Sequence, residues 1–146
     1  MARGYAGPRN ARVGIYRSGL EERNVAHCKK FGVEPGFETH YLNYVVPERT
    51  AKYNPDLFLP NGIIVETKGI FETADRQKHL LVREQYPELD IRLVFSSSKS
   101  KIYSGSKTTY GDWCEKHGII YADKLIPASW LKEPKKEIPK GILIKK

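Results

Sequence analysis

Two carboxylates and an ammonium stand close together in the run Tyr53-Asn54-Pro55-Asp56-Leu57-Phe58-Leu59-Pro60-Asn61-Gly62-Ile63-Ile64-Val65-Glu66-Thr67-Lys68. Hard cations such as Mg²⁺ take oxygen ligands and need only one or two carboxylates, because water and substrate phosphate complete the octahedron. Asp56 and Glu66 suit that role. Lys68 suits a second one: holding or deprotonating an attacking water, and offsetting the charge that builds on a phosphorane-like transition state. Its pKa is set by burial competing with two neighbouring carboxylates. The pattern implies metal-dependent phosphodiester cleavage; the plainer reading is a solvated strand face carrying a Glu and a Lys.

Whether these groups meet depends on a turn. If Pro60, Asn61 and Gly62 form a three-residue hairpin loop, with Gly62 supplying a positive φ, then Leu59 pairs with Ile63, Leu57 with Val65 and Asp56 with Glu66. Paired residues share a face, as do residues two apart on a strand. Asp56, Glu66 and Lys68 then point one way, with Phe58 and Ile64, while Leu57, Leu59, Ile63 and Val65 fill the other face. A two-residue Asn-Gly loop instead pairs Asp56 with Thr67 and splits the carboxylates between faces.

The elements that must carry this hairpin belong to a chain of 146 residues, one domain's worth. With 40% hydrophobic and 29% charged residues it reads as globular. No apolar run approaches the ~20 residues of a membrane span, and no secretory signal is expected. Cys28 and Cys114 lack metal-type spacing and fit a reducing cytosol. The net charge of +8 is unevenly placed. Residues 1–17 hold Arg3, Arg9, Arg12 and Arg17 without an acid, and residues 132–146 hold six lysines against Glu133 and Glu137. Between them 15 basic and 15 acidic residues cancel. Excess charge on two tails is the footprint of flexible arms that neutralise phosphates, or simply of solubility.

Residues 1–16 read as a flexible basic arm. Ser18 reads as the N-cap of a helix with Leu20, Val25, Cys28 and Phe31 on its apolar stripe, ended by Gly32. A long strand is expected from Phe37 to Val46, broken by Pro47, then the hairpin. A second helix is expected from Ala74 to Gln85, opened by Thr73 or Asp75 and closed before Pro87. Ile91 to Phe95 reads as a buried strand, Ser96 to Lys107 as a polar loop, Tyr110 to His117 as a helix capped by Gly118, and Ile119 to Tyr121 as a further strand. Trp130 and Leu131 anchor the end of a nuclease-sized domain, residues 17–131, before a lysine-rich tail, residues 132–146, departs. A sheet with helices packed on it is the natural outcome.

Ser18-Gly19-Leu20-Glu21 has capping-box form, which makes Glu21 a structural acid. An acid in a first helical turn can also face a metal, and Glu22 is its immediate competitor. The order helix, three strands, helix, strand, with Pro55-Asp56 and Glu66-Thr67-Lys68, resembles the PD-(D/E)xK nuclease superfamily. More narrowly, Arg17-Ser18-Gly19-Leu20-Glu21, Leu59-Pro60-Asn61-Gly62-Ile63, Val65-Glu66-Thr67-Lys68-Gly69, Val94-Phe95-Ser96-Ser97-Ser98, Glu115-Lys116-His117-Gly118 and Ala122-Asp123-Lys124-Leu125-Ile126-Pro127-Ala128 resemble the endonuclease I family of short-tailed lytic phages, which resolves Holliday junctions. The resemblance covers nearly the whole chain.

What the resemblance implies is specific. The fold is a restriction-endonuclease-like α/β domain, a mixed sheet flanked by helices around an αβββαβ core. Asp56 bridges two metal positions, with Glu66 and the Thr67 carbonyl on the first and Glu21 on the second, and Lys68 is the catalytic lysine. The cofactor is Mg²⁺, two per site, with Mn²⁺ as a substitute. The partners are branched double-stranded DNA, four-way junctions above all, and a second copy of the chain; a membrane and a small-molecule substrate are not expected. In the homodimer a bridging strand at residues 45–52 passes between composite domains, so Glu21 comes from one chain and Asp56, Glu66 and Lys68 from the other. The setting is the cytoplasm of the host bacterium. The basic residues Arg3, Arg9, Arg12 and Arg17 are the candidates for DNA contact.

Two other classes stay open on the residues alone: a sequence-specific endonuclease of the same superfamily, which needs base readout, and a non-catalytic protein binding DNA through its basic tails. Arg76, Lys78, His79 and Arg83 on the second helix read mostly as a solvated face, with His79 undecided. Ser96, Ser97 and Ser98 read as loop caps before phosphate ligands.

Overall fold

The computed structural model describes residues 19–146. Helix α1 spans Gly19–Lys30 and buries Leu20, Glu21, Asn24, Val25 and Cys28, the one-face spacing of an amphipathic helix. Phe31, expected on the same stripe, lies beyond the helix end and is 45% exposed. The long strand expected to Val46 is two pieces, β1 (Gly36–Phe37) and β2 (His40–Val46), and β3 (Arg49–Tyr53) returns along β2 with Val46 opposite Arg49. The two-residue turn, Pro47 and Glu48, holds Glu48 at φ 77°. Residues 45–52, expected as a bridge, are therefore the closed end of a hairpin within the chain.

The decisive hairpin is β4 (Leu57–Phe58) with β5 (Ile63–Lys68), antiparallel, with Leu57 opposite Val65 and Phe58 opposite Ile64. Leu59 N donates to the Ile63 carbonyl and Gly62, at φ 94°, donates to the Leu59 carbonyl. This is the three-residue register. The two faces separate as alternation requires. Leu57, Leu59, Ile63 and Val65 join Val25 and Cys28 of α1, and Ile64 joins Leu42, Tyr44 and Tyr53 on the other side.

Helix α2 (Thr73–Gln85) starts at N-cap Glu72, with Asp75 closing the capping box. It crosses over to β6 (Asp90–Phe95), which pairs in parallel with β5. Helix α3 (Tyr110–Lys116) ends at cap His117, β7 (Tyr121–Asp123) pairs in parallel with β6, and α4 (Ala128–Leu131) buries Trp130. The result is a five-stranded mixed sheet in the order β1-β4-β5-β6-β7, flanked by helices, with a second three-stranded sheet. No helix among the described residues is long and apolar enough to cross a membrane.

The carboxy-terminal lysines do not depart after Leu131. Lys136 N donates to the Asn61 carbonyl, Ile138, Ile142 and Leu143 pack against the Leu42–Tyr53 cluster, and β8 (Ile144–Lys145) pairs with β2. Apolar residues interleaved with the lysines give this segment a reason to dock. Arg92, Asp90, Glu133 and Lys136 reinforce it: the guanidinium donates to both carboxylates at 2.7–2.9 Å. At Gly62 an added Cβ would strike the Lys136 backbone carbonyl, and the positive φ disfavours any side chain. Gly62→Ala is expected to cost about 1–3 kcal/mol, read as a lower urea midpoint at unchanged m.

Candidate active site

Carrying the strand registers one step further explains how the acids meet. Gly36 faces Phe58 and Phe37 faces Leu57, so the next step sets Glu38 beside Asp56; Leu57 faces Val65, so the next sets Asp56 beside Glu66. The backbone agrees: Glu38 N donates to the Asp56 carbonyl at 2.9 Å. The β4–β5 ladder stops at Leu57, and Asp56 closes the gap with its side chain. Its Oδ2 accepts from Thr67 N at 3.0 Å and from Thr67 Oγ1 at 2.9 Å. Helix α1 supplies the remaining acid. One carboxylate oxygen from each of Glu21, Glu38 and Asp56 lies within 4.8 Å of the others.

Glu21 is placed by the docking of α1. Asn24 donates to the Lys124 carbonyl and accepts from Ile126 N, while His27 Nε2 lies 2.8 Å from the Ile126 carbonyl. The first turn of the helix is thereby fixed against β7 and its exit. Only oxygen donors gather in this cluster, which suits a hard cation and not a thiolate- or imidazole-seeking metal. Ligands of one octahedral Mg²⁺ stand about 3–4 Å apart, which the 4.8 Å limit on these oxygens accommodates.

Beside the cluster, Glu66 Oε1 accepts from the buried Tyr53 hydroxyl at 3.0 Å, and its Oε2 lies 3.8 Å from Lys68 Nζ. Lys68 Nζ donates to Asp75 Oδ1 at 3.1 Å. Asp75 Oδ2 accepts from Glu72 N, so one carboxylate both caps α2 and holds the lysine. Burial and then the Asp56 charge push Glu66 up to about 8, against the pull of Lys68, Lys78 and the Tyr53 hydroxyl. Burial pushes Lys68 down, but Glu66, Asp75 and Asp56 outweigh it, and its pKa stands above the ordinary value. Lys68 is thereby held as a cation between Glu66 and Asp75.

The phage endonuclease I family model matches residues 1–146. The chain belongs to that family. It is 56% identical over 136 residues to "Endonuclease I" of Escherichia phage T7, spanning 93% of this chain and 91% of that protein. It is 58% identical over 124 residues to "Endodeoxyribonuclease 1" of Enterobacteria phage T3, spanning 85% and 82%.

In this member of the endonuclease I family, Asp56, Glu66 and Lys68 lie together as the hairpin register requires. Glu21 is 6% exposed and joins the acids, whereas Glu22 is half-buried and outside the cluster. Glu38, Asp75 and Tyr53 were not foreseen. Arg3, Arg9, Arg12, Arg17 and the Ser18 cap lie outside the described residues.

The α2 face expected to be solvated is not. Arg76 is 7% exposed and donates to the carbonyls of Phe71 and Ile102 and to Thr73 Oγ1. Arg83 is half-buried and donates to the Ile91 carbonyl. His79 is fully buried between Tyr53 and Phe71, with neither ring nitrogen hydrogen-bonded among the described residues. Burial and the nearby charges of Arg83, Lys68 and Lys78 hold it neutral, well below its usual pKa. Ser98 caps the loop end through Asp123, and Ser96 N donates to the Lys68 carbonyl.

Glu66 makes cation-free stability depend on pH. Its native pKa of about 8 exceeds its ordinary 4.5, so the native state holds a proton the unfolded chain has lost, and stability falls as pH rises through that window. Neutral His79 acts oppositely, adding stability as pH rises through 6.5. The Glu66 contribution is isolated by the wild-type minus Glu66→Gln difference. In EDTA, denaturant titrations should show it declining from about pH 5 to pH 8, and Mg²⁺ should remove the decline.

Proposed function

We propose that this phage endonuclease is a Mg²⁺-dependent deoxyribonuclease that resolves four-way DNA junctions and other branched duplexes by paired nicks. The observation that carries it is the convergence of Glu21, Glu38 and Asp56 oxygens beside the Glu66–Lys68 pair. Glu21, Asp56, Glu66 and the Thr67 carbonyl would hold the cation, with Glu38 as a further carboxylate within reach. A bound Mg²⁺, with Mn²⁺ as substitute, would supply Lewis acidity for water and charge neutralisation at the scissile phosphate. Thr67 fixes the Asp56 carboxylate, and Tyr53 fixes that of Glu66. Lys68, held by Asp75, orients the attacking water and offsets charge on the non-bridging oxygens as they become more negative.

Paired nicks need two sites at a fixed separation, and a homodimer supplies them. The part of the chain before the Pro47–Glu48 turn holds Glu21 and Glu38; the part after it holds Asp56, Glu66 and Lys68. Opening that turn would let each site form from two chains through the contacts described above, with residues 45–52 as the bridge. Junctions would be recognised by shape and phosphates. The basic arm with Arg3, Arg9, Arg12 and Arg17 would add phosphate contacts.

A synthetic four-way junction with Mg²⁺ tests the activity: paired symmetric nicks are expected, and intact arms would remove the reading. Lys68→Ala should slow cutting by about 10²–10³-fold while junction binding survives. The exchange has its own test. Glu21→Ala and Lys68→Ala should each cut far more slowly than wild type, but refolded together they should regain nicking, because one of the two composite sites is then intact. A mixture as inactive as its components would reject the exchange.

A further inference from the structure

The segment between β6 and α3 is more than a connection. Residues 96–109 contain Lys99, Lys101 and Lys107 and no acid. All three lysines are exposed, and none has a carboxylate within ion-pair distance among the described residues. The acids nearest the loop are occupied: Asp123 accepts from Ser98 N and Oγ, and Asp112, whose carboxyl feels the Lys101 charge, accepts from Thr109 N.

The loop is also built, not loose. Ile102 N donates to the Thr108 carbonyl, Lys101 bridges to Thr109, and Tyr110 N donates to the Ser100 carbonyl. Ser106 N donates to the Tyr103 carbonyl, leaving Tyr103 63% exposed near the tip. One further bond ties this loop to the catalytic edge. Arg76, the neighbour of Asp75 on α2, donates from Nη1 to the Ile102 carbonyl at 3.2 Å and to the Phe71 carbonyl at 2.6 Å. At its start, the loop leaves β6 where Phe95 pairs with Lys68, and Ser96 N donates to the Lys68 carbonyl. A buried guanidinium thus ties to α2 a surface loop that starts at the Lys68 backbone. The loop carries three ammonium groups with no carboxylate partner among the described residues, Lys101 Nζ reaching only the Lys107 carbonyl at 3.5 Å.

We propose that the Lys99–Lys107 loop is a preformed phosphate-contacting surface that seats the backbone of one duplex arm next to the active site. It rests on the reading of DNA as substrate. Three ammonium groups without protein counter-charge meet a chain of phosphates with release of condensed cations, and a loop already folded loses little entropy on contact. The contacts carry no base information, so the surface acts on junction arms of any sequence.

The test uses the Lys99→Gln, Lys101→Gln, Lys107→Gln triple variant and a labelled four-way junction, with Ca²⁺ replacing Mg²⁺ so that binding is read without cutting. Anisotropy titrations across a salt series should show weaker binding at low salt. The slope of log K against log salt should be shallower by about 0.9 for each phosphate that the variant no longer neutralises. Acylation of the wild-type protein should find these lysines protected when the junction is bound. Wild-type affinity and slope in the triple variant, or equal acylation with and without DNA, would overturn the proposal. If the wild-type protein itself cuts no branched or linear DNA with Mg²⁺, the substrate reading fails instead.

Discussion

Buried like charge is the constraint under which this molecule is arranged. Asp56 is 2% exposed just before β4 and Glu66 6% on β5, against a sheet whose Leu57, Ile63, Ile64 and Val65 have no exposure at all. Carboxylates taken from water repel one another and resist ionisation unless each is given donors or a counter-ion. The fold shares these out: two donors from Thr67 to Asp56, the Tyr53 hydroxyl to Glu66 with the Lys68 ammonium as its counter-ion at 3.8 Å, and Asp75 accepting from Lys68. Even so, burial and then the Asp56 charge raise the Glu66 pKa. A cation bound among these carboxylates would offset their mutual repulsion.

That same packing fixes the direction of every functional group. Because β4 and β5 pair through Leu57–Val65 and Phe58–Ile64, a one-residue slip would turn the apolar set toward the acids and the acids toward the core. Gly62 and the Lys136 backbone lying against it guard that register from outside the sheet. The carboxy-terminal segment therefore belongs to the active-site scaffold as much as to the surface.

The hairpin, both main helices and the Asp56–Glu66–Lys68 face were legible because each rests on local rules: period-two alternation, turn residues and caps. Glu38 was not. It reaches the site through a two-residue strand pairing with residues far along the chain, and sits at φ 50°, a conformation no glycine or asparagine advertised. Asp75 hid behind its own capping role, since an acid in a first turn has a sufficient explanation without Lys68. Arg76 read as solvated because charged helix positions ordinarily are, and His79 stayed undecided between that face and the interior. The acceptors that make Arg76 tolerable inside, the carbonyls of Phe71 and Ile102, come from loops that no periodicity encodes. The lysine-rich end misled for the opposite reason: its charge density masked Ile138, Ile142 and Leu143.

Glu21 and Glu38 precede the Pro47–Glu48 turn, and Asp56, Glu66 and Lys68 follow it, so the only covalent link between the two halves of the acid cluster is that turn. Every other tie between them is non-covalent: Asn24 to Lys124 and Ile126, Glu38 to Asp56, Gln85 to Val45, β8 to β2. Such contacts do not depend on which copy of the chain supplies each side. Glu48, at φ 77°, carries strain of about 1–3 kcal/mol that an extended hinge would release. Exchange between two copies would thus keep the active-site contacts, relieve the one strained residue at the hinge and give up only the short β2–β3 turn. The balance between closed and exchanged forms would then be set by chain concentration and by that turn, and not by the chemistry of the site.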